Sequence, residues 1–233
     1  MKSPECPNAG TRAVSFAEVL DGTTFRAADG SEVRLAGLIA PGAGGETRVN
    51  EAAARDSLAA LLRTGSLTLA VESKPDRYGR TLAQAFADGV WLQGELLRKG
   101  LARAVPDLAG AGCAKALLQA ENEGRQARAG HWSDGFAVLT PEQLKGRTGT
   151  FQIVEGKAVS ASLNRGRAYI NFGADYRTDF TVTVSPSDMR AFRQAKFDVK
   201  TLGGKHIRVR GWIEFYNGPE MEVATPAAIE VLD

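Results

Sequence analysis

Two small β-barrels, the first carrying three helices, are the architecture this sequence predicts: mainly β with α, in two consecutive domains. Three observations support it. Short β-branched runs recur between turn-forming residues. Ala/Leu-rich stretches with helical spacing are confined to the first 130 or so of the 233 residues. From about residue 147 onward the composition shifts to β-branched and aromatic residues with a single helical interruption. The expected boundaries are a first domain over 11–135, a linker over 136–146 and a second domain over 147–233.

In the first domain, Thr11 to Phe16, Thr23 to Ala27 and Glu32 to Leu38 read as strands, with Ala28-Asp29-Gly30-Ser31 as a turn. Asn50 to Arg63 reads as a helix, because Ala54, Leu58, Leu61 and Leu62 form one stripe and Gly65 closes it. Leu67 to Val71 and Thr81 to Ala87 are strands around the loop from Lys74 to Arg80. Val90 to Lys99 is a short helix ended by Gly100, and Cys113 to Ala129 a longer one ended by Gly130. The order is strands, a helix, a hairpin and two more helices, for which the family resemblance of the chemistry-bearing segments implies an oligonucleotide/oligosaccharide-binding (OB) barrel plus three helices.

Phe136 to Leu144 reads as a linker or connecting turn, with Thr140-Pro141-Glu142-Gln143 as a helix start. Strands are then expected over Thr148–Val154, Val159–Leu163, Arg167–Phe172, Asp179–Val184, Ile207–Glu214 and Glu220–Ala224. A helix from Pro186 to Ala195, capped by Ser185, separates the fourth from the fifth. Five or six strands and one helix in this length suit a second, OB-like barrel.

Bulk properties narrow the function classes. Hydrophobic residues are 43% and charged residues 24%, which excludes a mainly disordered chain. The formal charge is only +2, so nucleic-acid binding would have to come from local clustering. No apolar run is long enough to span a membrane, and Met1-Lys2-Ser3-Pro4 opens no signal peptide. Cys6 and Cys113 are the two cysteines, and neither they nor His131 and His206 have zinc-site spacing. They are either unrelated thiols or one disulfide. The disulfide is preferred, because an unstructured start gains most from a tether, and it would imply an oxidising compartment.

Four ordered segments carry the chemistry. Val19-Leu20-Asp21-Gly22-Thr23-Thr24-Phe25 is a strand, tight turn and strand, and Val33 to Pro41 is a buried strand bearing Arg34. Asp76-Arg77-Tyr78-Gly79-Arg80-Thr81-Leu82-Ala83 places Arg80 where another strand begins. Leu96 to Ala102, then Glu121 to Arg125 through His131-Trp132-Ser133, close the domain. In this order they resemble the staphylococcal nuclease (thermonuclease-like) family over Val14 to Ser133.

The resemblance implies a barrel that cleaves DNA and RNA, with calcium between two aspartates, a glutamate positioning water and two arginines holding the phosphate. Hard cations require carboxylate oxygens, and guanidinium forks match phosphate oxygens. Arg34 and Arg80 stand at the arginine positions. Asp21 matches an acid near the metal, whereas Thr23 and Ile39 stand at the direct ligands and Gly42 at the glutamate. In the base-stacking segment stand Pro106 and Leu108, while Tyr78 survives. The implied catalytic set is therefore Arg34, Arg80 and Asp21, with Glu46 swinging in from the Gly42-Ala43-Gly44-Gly45 loop as the alternative carboxylate. The plainer account of Arg34 and Arg80 is pairing with buried acids such as Asp21 or Asp76.

Nucleic-acid contacts are expected from Arg77, Tyr78 and Arg103 in the first domain and from Arg167, Arg208 and Arg210 in the second, where arginines interleave with aromatics. Alternation along the strands assigns Ile170, Phe172, Phe180, Val182, Ile207, Val209 and Trp212 to the core instead. The leading reading is a nuclease relative with a degenerate calcium site that binds single-stranded DNA or RNA without efficient hydrolysis and needs no cofactor. The alternatives are an active phosphodiesterase, which would use Ca2+, and a cell-envelope partner-binding module. The disulfide and the resemblance favour an exported or periplasmic protein.

Overall fold

The structure, a computed structural model, describes residue 6 and residues 10–45, 49–63, 65–72, 74–109, 112–175 and 177–232. Two units separate, Met1–Phe136 and Ala137–Asp233. The first contains β1 (Arg12–Val14), β2 (Phe16–Asp21), β3 (Thr24–Ala27), β4 (Glu32–Leu35), β5 (Leu38–Ile39), α1 (Glu51–Leu62), β6 (Leu67–Val71), β7 (Thr81–Ala87), β8 (Val90–Trp91), α2 (Leu92–Arg98), β9 (Arg103–Ala104) and α3 (Ala114–Gln126).

The main sheet runs β1-β6-β7-β4-β3-β2. Only Ser15 separates β1 from β2, so the two ends of this order belong to one bent strand and the pairing circuit returns on itself. The β4–β7 step is parallel, and the other steps are antiparallel. Inward residues such as Phe25, Val33, Leu35, Leu69 and Ala85 are fully buried and join Leu58, Leu92, Leu96 and Leu117 from the helices in one core. Asn50 caps α1 by accepting from the Ala53 N–H, and Ala54, Leu58 and Leu62 form its buried stripe. Gly37 is required where it stands: its φ is +77°, and a side chain there would collide with Leu117 and Ala109.

The helix expected from Val90 starts later. Asp88 and Gly89 both take positive φ and form a tight turn, which lays Val90–Trp91 back along β7 as β8. Burial of Trp91, whose indole N–H donates to Gln84 Oε1 at 2.9 Å, outweighs the helical reading of that dipeptide.

The second unit contains β10 (Val138–Leu139), β11 (Phe151–Lys157), β12 (Ser160–Asn164), β13 (Arg167–Asn171), β14 (Thr181–Val184), α4 (Met189–Gln194), β15 (His206–Trp212), β16 (Glu214–Phe215), β17 (Pro219–Glu222) and β18 (Ile229–Val231). Here β11 and β12 act as one bent strand, pairing β15 on one side and β13 on the other. The order continues β13-β14-β17-β16, and β16 follows β15 after Ile213. The connections of the first unit are thus repeated, again with a parallel step between the third and last strands, β14 and β17. The chain is mixed and β-rich, two OB-like units in series.

Three local expectations are corrected. The segment read as a linker contributes β10, which pairs parallel with β11, and a short 3₁₀ turn over Pro141–Leu144 with a Thr140/Gln143 capping box. Trp212 is 46% exposed instead of core, because Ile207, Val209 and Gly211 take the inward positions of β15. Ser185 precedes the α4 cap, Asp188, whose N–H donates to its hydroxyl at 3.2 Å.

Candidate functional site

The β2–β3 turn is held by one carboxylate. Asp21 Oδ1 accepts from the Thr23 N–H at 2.7 Å and from the Thr23 hydroxyl at 2.9 Å. The turn fits closely under α1, where any side chain on Gly22 would strike Ala54. Thr23 is fully buried, and its hydroxyl also accepts from Arg34 Nη1. Arg34 Nη2 donates to the Leu38 carbonyl at 3.0 Å, and its Nη1 lies 3.9 Å from Asp21 Oδ1. Burial pushes this guanidinium below its ordinary pKa; the Asp21 charge opposes that shift and the Arg80 charge adds to it.

Arg80 is built from the loop before β7. Asp76 Oδ1 accepts from the Tyr78 and Arg80 N–H groups, both at 2.9 Å, which folds the loop around the carboxylate. Asp76 Oδ2 takes Arg80 Nε and Nη2, each at 2.7 Å. The Tyr78 ring, 67% exposed, stands beside two guanidiniums, Arg77 at 4.8 Å and Arg80 at 5.2 Å from its centroid. Arg77 Nη2 also donates to the Tyr78 hydroxyl at 2.6 Å. The parallel β4–β7 ladder sets Arg34 opposite Leu82, two residues from Arg80, and brings these arginines together.

Partial burial acts to raise the Asp76 pKa, but the hydrogen bonds from Arg80 and Tyr78 and the Arg80 charge hold it below the ordinary carboxylate value. A depressed folded-state pKa stabilises the loop above the ordinary value, and that contribution is lost as pH falls through the folded one. An NMR titration is expected to show Asp76 protonating below the ordinary aspartate value, with the Arg80 Nε signal broadening in the same step. An Asp76 midpoint at or above the ordinary aspartate value would contradict this.

The remaining expected residues divide. Ile39 is buried and pairs with Arg103 across the β5–β9 ladder. Arg103 is only 1% exposed, with its guanidinium 5.1 Å from the Phe136 ring centroid, so it is an interior residue and presents nothing to a phosphate. Arg167 is ion-paired with Glu222. Arg208 lies between Glu155 at 2.6 Å and Glu230 at 3.6 Å, and Arg210, buried, binds Glu230 at 2.6 Å. These three are committed to carboxylates that the interleaving pattern did not weigh. Glu46 lies outside the described residues, and among the described residues no cluster of three metal-type side chains occurs. Cys6 and Cys113 form a disulfide.

Sequence reading missed Glu51. A side chain built on Gly42, whose φ is +82°, would run into the Glu51 carboxylate, so the first turn of α1 delivers an acid to the position where the family's glutamate was sought. An acid directly after the Asn50 cap was the available signal, since the helix N-terminus favours negative charge there.

The first unit is thus a β-rich, OB-like domain whose parallel β4–β7 step brings Arg34 and Arg80 together. Residues 32–134 match the family described as staphylococcal nuclease homologue. The matched span includes Arg34, Ile39, Gly42 and Arg80 and leaves out the Asp21 turn. Among curated proteins none matches the chain.

Proposed function

We propose that the first unit binds single-stranded DNA or RNA through its phosphodiesters and does not hydrolyse them efficiently. Arg34 and Arg80 form the phosphate subsite, while Arg77 and the exposed Tyr78 ring extend it toward the next nucleotide. Asp21 and Asp76 are positioning residues that orient the guanidiniums.

The observation carrying this reading is where Arg34 points. Its guanidinium lies on the Thr23 hydroxyl and the Leu38 carbonyl, oxygens beside the turn where the family's cation would be held. Calcium requires about 6–8 oxygen ligands, several of them carboxylate. Here Thr23 offers a hydroxyl already engaged by Arg34, Ile39 offers no side-chain oxygen, and Asp21 Oδ1 is occupied by Thr23. This donor set does not fit the ion, and no step is derived through it.

A second reading, metal-dependent cleavage, is favoured by one observation, the Glu51 carboxylate beside Gly42. The Cys6–Cys113 disulfide supports an exported or periplasmic location for either.

Binding of fluorescent dT12 and rU12 at low salt, together with a cleavage assay in calcium or chelator, decides between them. The proposal expects salt-sensitive binding, weakened roughly tenfold by Arg80→Ala, as suits loss of a charged hydrogen bond. Binding that Arg80→Ala leaves unchanged would refute the subsite. Chelator-sensitive cleavage lost in that variant would establish the enzyme instead.

A further inference from the structure

The outer face of the second unit is a second candidate site, independent of the arginine pair. Register stacks its outward side chains in rows. Ser162 lies opposite Tyr169, which lies opposite Thr183 and then Glu222; Ser160, Asn171, Thr181 and Glu220 form the next row. The alternate residues, Ala168, Ile170, Val182 and Met221, are fully buried in the core. The polar face is thus the necessary reverse of the apolar one.

Across these rows runs a groove of about 440 Å³, walled by Ser162 and Asn164 of β12, Tyr169 of β13, Glu220 of β17, and Tyr216 and Asn217 at the β16–β17 hairpin tip. Its chemistry is selective. No lysine or arginine lines it. Arg167, on β13, is paired with Glu222. Glu220 also feels the charges of Glu222 and Glu214, and burial is the main cause that raises its pKa above the ordinary value. A nucleic-acid backbone would meet more negative than positive charge here.

What the groove offers is amides, hydroxyls and flat rings. Asn171 and Thr181 on its floor are bonded to each other, at 3.1 Å. The side chains of Ser162 and Asn164 and the Tyr169 hydroxyl, by contrast, make no hydrogen bond among the described residues. Tyr216 is 74% exposed at the rim. Many uncharged donors and acceptors beside an exposed aromatic face suit a ligand that is polyhydroxylated, neutral and apolar on its ring faces. A cationic peptide would require paired carboxylates aimed into the groove, and Glu220 is the sole one lining it. We propose that this groove binds a neutral oligosaccharide, with a sugar ring stacked on Tyr216 and its hydroxyls shared by Asn164, Asn217 and Ser162.

The test is an NMR titration of the full-length, disulfide-bonded protein with cellotetraose, maltotetraose and tetra-N-acetylchitotetraose, and separately with dT12. At least one saccharide is expected to shift the Asn164 and Asn217 side-chain amides saturably at millimolar concentration. Tyr216→Ala, at an exposed position that leaves the core untouched, is expected to weaken that binding roughly tenfold, and Asn164→Ala to weaken it too. The panel identifies which sugar substitution the groove accepts. Absence of saturable shifts with all three sugars would overturn the proposal. So would binding that survives both substitutions, or stronger shifts of the same amides by dT12.

Discussion

Reducing the Cys6–Cys113 bond is expected to lower the melting temperature of the first unit by on the order of 10–15 °C. The bond joins residues 107 apart in sequence, with Cα atoms 4.8 Å apart. Closing a loop of that length removes about 4–5 kcal/mol of chain entropy from the unfolded state in the entropic account of disulfides. Both cysteines are 3% exposed and belong to the main core, so the bond anchors Cys6 to the residue that opens α3. Thermal unfolding with and without reductant, checked by thiol counting, measures the effect. A Cys6→Ala/Cys113→Ala double variant should melt at the lower temperature in both conditions. Fully reduced protein that melts with the oxidised form would mean that the bond adds nothing beyond the packing of the two cysteine side chains.

Replacing Glu230 by alanine is expected to cost the second unit about 3 kcal/mol, because it removes the carboxylate that the largely desolvated Arg210 binds at 2.6 Å. Strand pairing sets Glu155, Arg208 and Glu230 directly opposite one another across β11, β15 and β18. The Arg208 side chain is 12% exposed and that of Arg210 only 1%. Partial burial acts to raise the Glu155 pKa, but hydrogen bonds from Arg208 and His206 hold it below the ordinary glutamate value. Urea unfolding read from the Trp212 indole N–H signal, which reports on this unit, should show a lower midpoint for Glu230→Ala. The oligonucleotide affinity of the first unit should stay unchanged. A Trp212 midpoint equal to that of the wild type would show that the network is solvated and dispensable. A drop in oligonucleotide affinity would return Arg208 and Arg210 to the nucleic-acid interface.

The Glu155–Arg208–Glu230–Arg210 network shows what arginine-aromatic interleaving leaves out in the second unit. Arg208 and Arg210 belong to a segment that also contains His206 and Trp212, which on paper resembles a binding strand. Their carboxylate partners are 20 to 53 residues away and become neighbours only through the register of β15 with β11 and β18. Arg34 and Arg80 were easier, because two arginines in a familiar order around turn-forming residues constrain the alternatives. Even there, the Asp76 clasp on Arg80 is local, four residues apart, whereas the Arg34 contact with the Leu38 carbonyl depends on the turn at Ala36–Gly37.

While the arginine pair was read from a family resemblance, periodicity and turn chemistry in the sequence were enough to establish a mixed, β-rich chain with three helices in its first unit. These features are encoded locally, in alternation with period two, in helical stripes such as Ala54–Leu58–Leu62, and in glycines where φ must be positive. Tertiary structure alone decided which charges are available. It buried Arg103 and Arg210, brought the Glu51 carboxylate to Gly42, turned Trp212 outward and lined the groove of the second unit with amides and tyrosines. The physical reason is that a charge is defined by its surroundings. Desolvation and ion pairing depend on residues distant in sequence, and only strand register brings them within reach.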